Sequence, residues 1–359
     1  MSVAFCIALF LVIDFIFGGY LVLSKEYCEE RSPYIHGEDG FYELKSSFSG
    51  IECAGHLRVR VSTDARGFRI EPGSVQAGLH DIVVLGDSFV YGFTGQWDQT
   101  FAGMLAIARG GGVLNAGIVS YSPTGYLYRY EKALHAGLMA DEHTVIVGVD
   151  ISDVQDEAGH WVDGIEHPVA RGPSGHRGPD DGGGGLKEWI KATLPLTNSI
   201  YQALKAALSG EPQSLGIEDA TGLPRSGFTY ADWAELDSKP ALPLSEGYAP
   251  LGVYGGLERI SSKLHEIVER ARDHGGKVYF VIWPWPDQIV FERVFDWPGF
   301  IRGICESAAC AGVVDLVEVF DRLAQENETW YEDYYVVGDI HFNEAGNRII
   351  FEQIAAELQ

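Results

Sequence analysis

Five short apolar runs separated by stretches of helical periodicity limit what this chain can fold into. The runs are Ile82–Leu85, Val113–Asn115, Thr144–Val149, Lys277–Ile282 and Val313–Val317. A run like Ile82–Leu85, apolar throughout and closed by Gly86, suits a parallel strand buried on both faces rather than a one-sided antiparallel one. Helical stretches are expected near Gln99–Ala108, after Ser122-Pro123, over Leu257–His274, near Glu292–Ala311 and after Asn343. Ser122 has the chemistry of an N-cap, Pro123 that of a first helical residue, and Leu127, Tyr130 and Leu134 share one face. Asn343 caps a terminal helix with Ile350, Ile354 and Leu358 on one face. Strands alternating with helices in this way predict an α/β fold with a mostly parallel sheet. No internal repeat interrupts the alternation.

Three segments fall outside that pattern. Met1–Leu23 is apolar on every side and carries one charged residue, Asp14. As a helix it would be roughly 34 Å long, enough to cross a bilayer core. An uncleaved membrane anchor is the expectation; a cleaved signal peptide and a buried core helix are the alternatives. Residues 24–80 form an N-terminal extension in which Leu57, Val59 and Val61 alternate with Arg58, Arg60 and Ser62, as in a β-hairpin. Residues 156–250 carry Pro168, Gly172-Pro173, Gly178-Pro179 and Gly182–Gly185 around one helical stretch at Leu186–Leu208. They read as a loop-rich insertion into a domain spanning 81–359.

Charge and cysteine content narrow the functional classes. With 26 Lys+Arg against 51 Asp+Glu, the net charge is −25. That excludes nucleic acid as a partner and disfavours docking on anionic lipid. No Cys-x-x-Cys, His-Glu-x-x-His or EF-hand spacing occurs, so a metal cluster is not expected. Outside the apolar segment stand Cys28, Cys53, Cys305 and Cys310. Local pairs, Cys28–Cys53 and Cys305–Cys310, would suit an oxidising compartment; four buried thiols are the alternative.

In open parallel sheets, ligands bind beyond the carboxyl ends of the strands. At those ends stand Ser88 after Ile82–Leu85, Gly117 after Val113–Asn115, the stretch Gly148–Glu157, and Asp339 with His341 before the last helix. A serine becomes a nucleophile only with a base, and the base needs a partner that holds its tautomer. His341 and Asp339 supply both, because residues i and i+2 of an extended segment project to one side. Structural serines and helix-capping polar residues are the plainer alternative.

Gly86-Asp87-Ser88 with Gly92, Asn115-x-Gly117, and Asp339-x-His341-Phe342-Asn343-x-x-Gly346 together resemble the first, second and fifth blocks of the SGNH (GDSL-type) hydrolases. The resemblance covers roughly residues 81–157 and 277–359. It implies a flavodoxin-like α/β/α sandwich acting on carboxylic esters without a cofactor. Ser88 would be the nucleophile, His341 the base and Asp339 its orienting acid. The backbone N–H groups of Ser88 and Gly117 would face the oxyanion, with a side chain from the third block. That block departs from the family's Asn-Asp: Ser152-Asp153 is the preferred match, with the Ser152 hydroxyl replacing the amide. The rival register, Gly148-x-Asp150, puts there a carboxyl that donates only when protonated.

The expectation is therefore a single-pass membrane protein whose catalytic domain lies outside the cytoplasm. It would be an SGNH-type serine esterase or O-acyltransferase, with O-acetyl groups of an envelope glycan as substrate by analogy. A lipid esterase or thioesterase and a glycan-binding scaffold are the competing readings. Trp283-Pro284-Trp285-Pro286 is read as packing at a strand end, and Arg58, Arg60, Arg66 and Arg69 as a solvated hairpin face.

Overall fold

The computed structural model describes residues 41–54, 57–74, 78–159, 251–290 and 295–358. It also describes residues 32–36 and positions 5, 9, 10, 12–16, 161, 197, 248 and 250. Strands β1 (Tyr34–His36) and β2 (Tyr42–Leu44) form a small antiparallel pair. The other eight are β3 (Ser49–Ala54), β4 (Leu57–Thr63), β5 (Arg69–Ile70), β6 (His80–Leu85), β7 (Val113–Asn115), β8 (Met139–Val149), β9 (Gly276–Ile282) and β10 (Gly312–Asp315). They make one sheet in the order β10-β9-β8-β6-β7-β5-β4-β3.

All five strands anticipated from the apolar runs are present, and they pair in parallel from β10 to β7. Their side chains explain why: Ile82–Leu85, Val145–Val147 and Phe280–Ile282 are buried on both faces. Such runs need helices above and below to exclude water. The chain first steps outward from β6 to β7, then returns past β6 to add β8, β9 and β10. Right-handed crossovers running in opposite directions place their helices on opposite faces. Accordingly, helix Phe101–Arg109 packs with the terminal helix Glu344–Glu357, while Pro123–His135 and Trp297–Ala308 both pack on Gly252–Asp273. This is the α/β fold expected, with β6 and β8 flanking the point where strand order reverses.

The N-terminal hairpin is not a separate layer. β5 pairs antiparallel with β7 through Arg69 and Asn115, so β5, β4 and β3 extend the main sheet. One cap also differs from expectation. The Ser122 side chain caps no backbone N–H. Its hydroxyl donates instead to Glu157 Oε1 at 2.7 Å, and that same oxygen accepts the Thr124 N–H at 2.7 Å. A carboxylate from a neighbouring helix thus does what the local serine was expected to do. Asn343 caps as predicted, accepting from Ala345 and Gly346.

Cys305 and Cys310 form a disulfide, and Cys53 is also disulfide-bonded. Cys28 lies outside the described residues, as do most of 1–23 and of the 156–250 insertion. Among the described residues, no helix is long and apolar enough to cross a membrane. Positions 5, 9, 10 and 12–16 are helical, with Phe5, Leu9, Phe10, Val12, Ile13, Phe15 and Ile16 exposed. Asp14 is buried and accepts hydrogen bonds from the Thr197 backbone N–H (2.7 Å) and hydroxyl (2.5 Å).

Arg58, Arg60 and Arg66 are exposed as expected, but Arg69 is not. It is 1% exposed and donates to the carbonyls of Tyr91 (2.5 Å), Gly92 (2.7 Å) and Gly95 (2.9 Å). Its guanidinium also lies over the Tyr91 ring. Removing it strands those carbonyls in the interior. Arg69→Ala is expected to lower the unfolding free energy by about 3 kcal/mol. Urea unfolding measures it, and a loss under about 1 kcal/mol would count against this role.

Candidate active site

Ser88 sits where β6 gives way to a helix of one turn, Ser88–Tyr91. Asp87 is the N-cap and accepts the Phe89 N–H at 3.0 Å. Ser88 is therefore the first helical residue, and its own N–H has no acceptor within the helix. Gly92 ends the turn at φ 80°, a left-handed conformation that side chains disfavour. The Arg69 bonds to Tyr91 and Gly92 hold this exit from beneath.

His341 and Asp339 come from a loop before the terminal helix. An antiparallel bridge between Tyr335 and Phe342 closes the loop. The Tyr331 hydroxyl accepts the N–H groups of Gly338 (2.9 Å) and Asp339 (3.1 Å). The structure brings all three predicted residues together across a separation of 253 positions: His341 Nε2 lies 2.7 Å from Ser88 Oγ. His341 Nδ1 lies 2.5 Å from Asp339 Oδ1, which also accepts the His341 backbone N–H at 3.0 Å. With Nδ1–H given to Asp339, Nε2 is left to accept the serine proton. The Phe89 ring, 4.7 Å from the imidazole, fixes its plane from one side. Burial pushes the Asp339 carboxyl up, but the hydrogen bond and charge of His341 and two backbone N–H groups outweigh it. The net result is a carboxyl held below the usual range and ionised.

Gly117 lies against the back of the Ser88 turn: a Cβ there would come within 2.4 Å of the Tyr91 nitrogen. Its N–H donates to Asn115 Oδ1 at 3.0 Å, and Asn115 Nδ2 donates to the Val90 carbonyl at 2.9 Å. Arg129, also buried, bonds the Ala116 carbonyl (3.3 Å) and the Gly67 carbonyl (2.9 Å). The predicted oxyanion donor Gly117 is thus in place beside the turn, but with its N–H engaged.

Ser152 is placed differently from expectation. Its hydroxyl donates to Asp150 Oδ1 at 2.6 Å, and its backbone N–H to the same oxygen at 2.7 Å. A hydroxyl has one proton, so while that bond holds it has none for an oxyanion. Asp150, three residues beyond Val147, stands at the β8 end as Ser88 stands three beyond Leu85, and those two strand residues are register partners. The rival register therefore describes the position at the strand end. Asp150 Oδ2 accepts the Trp285 indole N–H at 3.2 Å. Trp283 is buried against Phe89 and Phe101, and Trp285 is buried beside Asp150.

The sequence reading named the acids around this point as members of motifs but did not anticipate that they are buried together. Asp87, Asp150 and Asp153 are 5%, 1% and 0% exposed. Tyr126 donates to Asp153 Oδ1 at 2.8 Å, and the Asp150 N–H to Asp153 Oδ2 at 3.2 Å. Burial first, then the charge of Asp150, drives the carboxyls of Asp87 and Asp153 well above the ordinary range. The donors to these acids are phenol, indole, hydroxyl and backbone groups, which solvate charge without cancelling it.

No known family model matches the chain, and no curated protein does. Solved structures are similar to it at low identity. An acetyl xylan esterase, AlAXEase, is 12% identical, covering 77% of this chain and 99% of its own at a TM-score of 0.42. The acetylxylan esterase Axe2 from Geobacillus stearothermophilus is 13% identical, with 78% and 95% covered and a TM-score of 0.40. A member of the lipolytic protein G-D-S-L family from Veillonella parvula DSM 2008 is 12% identical, with 77% and 96% covered and a TM-score of 0.38.

A buried acid with a raised pKa stabilises the fold below its unfolded value, and that stability is lost as pH rises through the folded value. Asp153→Asn cannot ionise. Thermal unfolding from pH 6 to 10 is expected to show the midpoint of the wild type falling more steeply than that of Asp153→Asn. Parallel curves would show that Asp153 does not hold its proton.

Proposed function

We propose that this protein is a serine esterase or acyl-transferring enzyme of the SGNH type, acting on carboxylic esters. The observation that carries the reading is the relay from Ser88 Oγ through His341 to Asp339, with contacts of 2.7 and 2.5 Å. The Ser88 proton passes to His341 Nε2 as Oγ bonds the acyl carbon and the carbonyl π pair moves onto oxygen. Collapse of that adduct breaks the bond to the leaving oxygen, which takes the proton back from His341. The acyl-serine is then released by water or by a sugar hydroxyl, with His341 again accepting a proton. Asp339, held ionised, keeps the Nδ1 proton in place and balances the imidazolium. The helix-start N–H of Ser88 faces the developing oxyanion, and the Gly117 N–H joins it by sharing its bond to Asn115.

For placement, we assign Met1–Leu23 as a membrane anchor and an O-acylated envelope glycan as substrate. Support for the first comes from a segment whose one charged residue is Asp14 and from exposed apolar side chains at its helical positions. Support for an extracytoplasmic domain comes from the Cys305–Cys310 disulfide and from bonded Cys53.

Ser88→Ala and His341→Ala are each expected to reduce turnover of p-nitrophenyl acetate by about 10⁴-fold or more, with the fold intact by circular dichroism. A fluorophosphonate should label the wild type at Ser88. Turnover surviving in either variant, free of contaminating esterase, would remove the triad. For the anchor, protein purified from membranes should retain its N-terminal peptide by mass spectrometry and partition into detergent. A mature start near Ser24 would replace the anchor with a cleaved signal.

A further inference from the structure

The Ser88 hydroxyl has two neighbours and one proton. His341 Nε2 lies at 2.7 Å and Asp87 Oδ2 at 3.5 Å. Because His341 gives its Nδ1 proton to Asp339, Nε2 is an acceptor, and the shorter contact claims the serine proton. Ser88 Oγ then turns only a lone pair towards Asp87 Oδ2. If Asp87 is ionised, two acceptors confront one another. If it is protonated, it donates. Its other oxygen, Oδ1, is taken by the Phe89 N–H, so Oδ2 is where a proton must sit.

The surroundings favour the neutral form. From the β8 side Asp87 faces Asp150, Asp153 and Asp156. Helix Pro123–His135 contributes Tyr126, and β2 contributes Tyr42; both phenols sense the Asp87 charge. On the remaining side lie His341 and the ionised Asp339, beyond Ser88. These neighbours are acids, phenols and an imidazole already committed to an acid. An ordinary N-cap aspartate is best ionised, but here it would be a buried anion beside other buried acids.

We propose that Asp87 serves as a neutral acid that holds its proton against Ser88 Oγ, so that acyl transfer requires Asp87 protonated and ceases when it ionises. The inference rests on the serine-esterase reading above. As Oγ gives its proton to His341, Asp87 donates a hydrogen bond to the oxygen that has lost it, and the negative charge passes to the carbonyl oxygen as Oγ bonds the acyl carbon. Asp87 keeps its own proton throughout, so atoms and charge balance without it. Once ionised, the same carboxyl sets a negative charge beside the atom that must attack.

The test is the pH dependence of kcat/KM for p-nitrophenyl acetate between pH 5 and 10. Full-length protein in detergent is used, Ser88→Ala is subtracted as blank, and circular dichroism is recorded at each pH. The wild type should lose at least about 10-fold on the alkaline side while still folded. Asp87→Asn, which presents a permanent amide donor, should be slower at its optimum but lose the alkaline fall. Asp150→Asn leaves Asp87 in place and removes one negative neighbour. The fall should then move to lower pH, by about half a unit or more, because less repulsion opposes ionisation. The proposal is overturned by a wild type with no alkaline fall, by a folded Asp87→Asn that keeps it, or by Asp150→Asn leaving it unmoved or raising it. Absence of Ser88-dependent turnover at every pH would instead defeat the esterase reading itself.

Discussion

Between β6 and β8 the chain adds strands in opposite directions on either side of one hydrogen-bonded pair, and the two carboxyl ends are left without a crossover above them. Ser88 and Asp150 stand just beyond those two ends, each three residues past the register partners Leu85 and Val147. Everything else in the site is attached to that pair. The Gly117 turn packs on it from β7, and the His341 loop closes over it from the last helix. Loss of the β6–β8 register would move all of these together, because side chains on a strand change face with a slip of one residue.

Rigid turns are needed on a strand end that carries no regular structure of its own. Two buried arginines meet this need by bonding to carbonyls rather than to carboxylates. Arg69 binds the exit of the Ser88 turn, and Arg129 binds the turn before Gly117. Both reach the site from elements that carry none of the reacting groups, β5 and the helix after Ser122. Meanwhile the acids nearest Ser88 receive only neutral donors. Cations hold the scaffold and stay away from Asp87 and Asp153, whose carboxyls burial and the charge of Asp150 push well above the ordinary range.

Much of this was legible in the chain. The runs Ile82–Leu85, Val145–Val147 and Phe280–Ile282 are strands of a sheet that covers both their faces. Ser88, His341 and Asp339 were recognisable because a relay needs those three types at strand ends. What escaped was any feature set by partners distant in sequence. Arg69 read as a solvated residue because its neighbours Arg58, Arg60 and Arg66 are solvated; only pairing of β5 with β7 turns it inward. Ser122 looked like a cap, but Glu157 approaches from another helix and takes the bond. Ser152 looked like a donor to substrate, yet the backbone after β8 curls so that its hydroxyl meets Asp150, two residues back.

By itself, then, the sequence determined the class of fold, the order of its parts and the candidate residues that the fold brings together. These depend on local periodicity and on which chemistry each residue type can perform. The tertiary structure alone decided which groups are charged, which donors are free and which loops are held. Those outcomes depend on burial and on what lies within a few ångströms. Asp87 shows the division: in the chain it is one acid in an acidic protein, and in the fold it is buried among other acids against the serine oxygen.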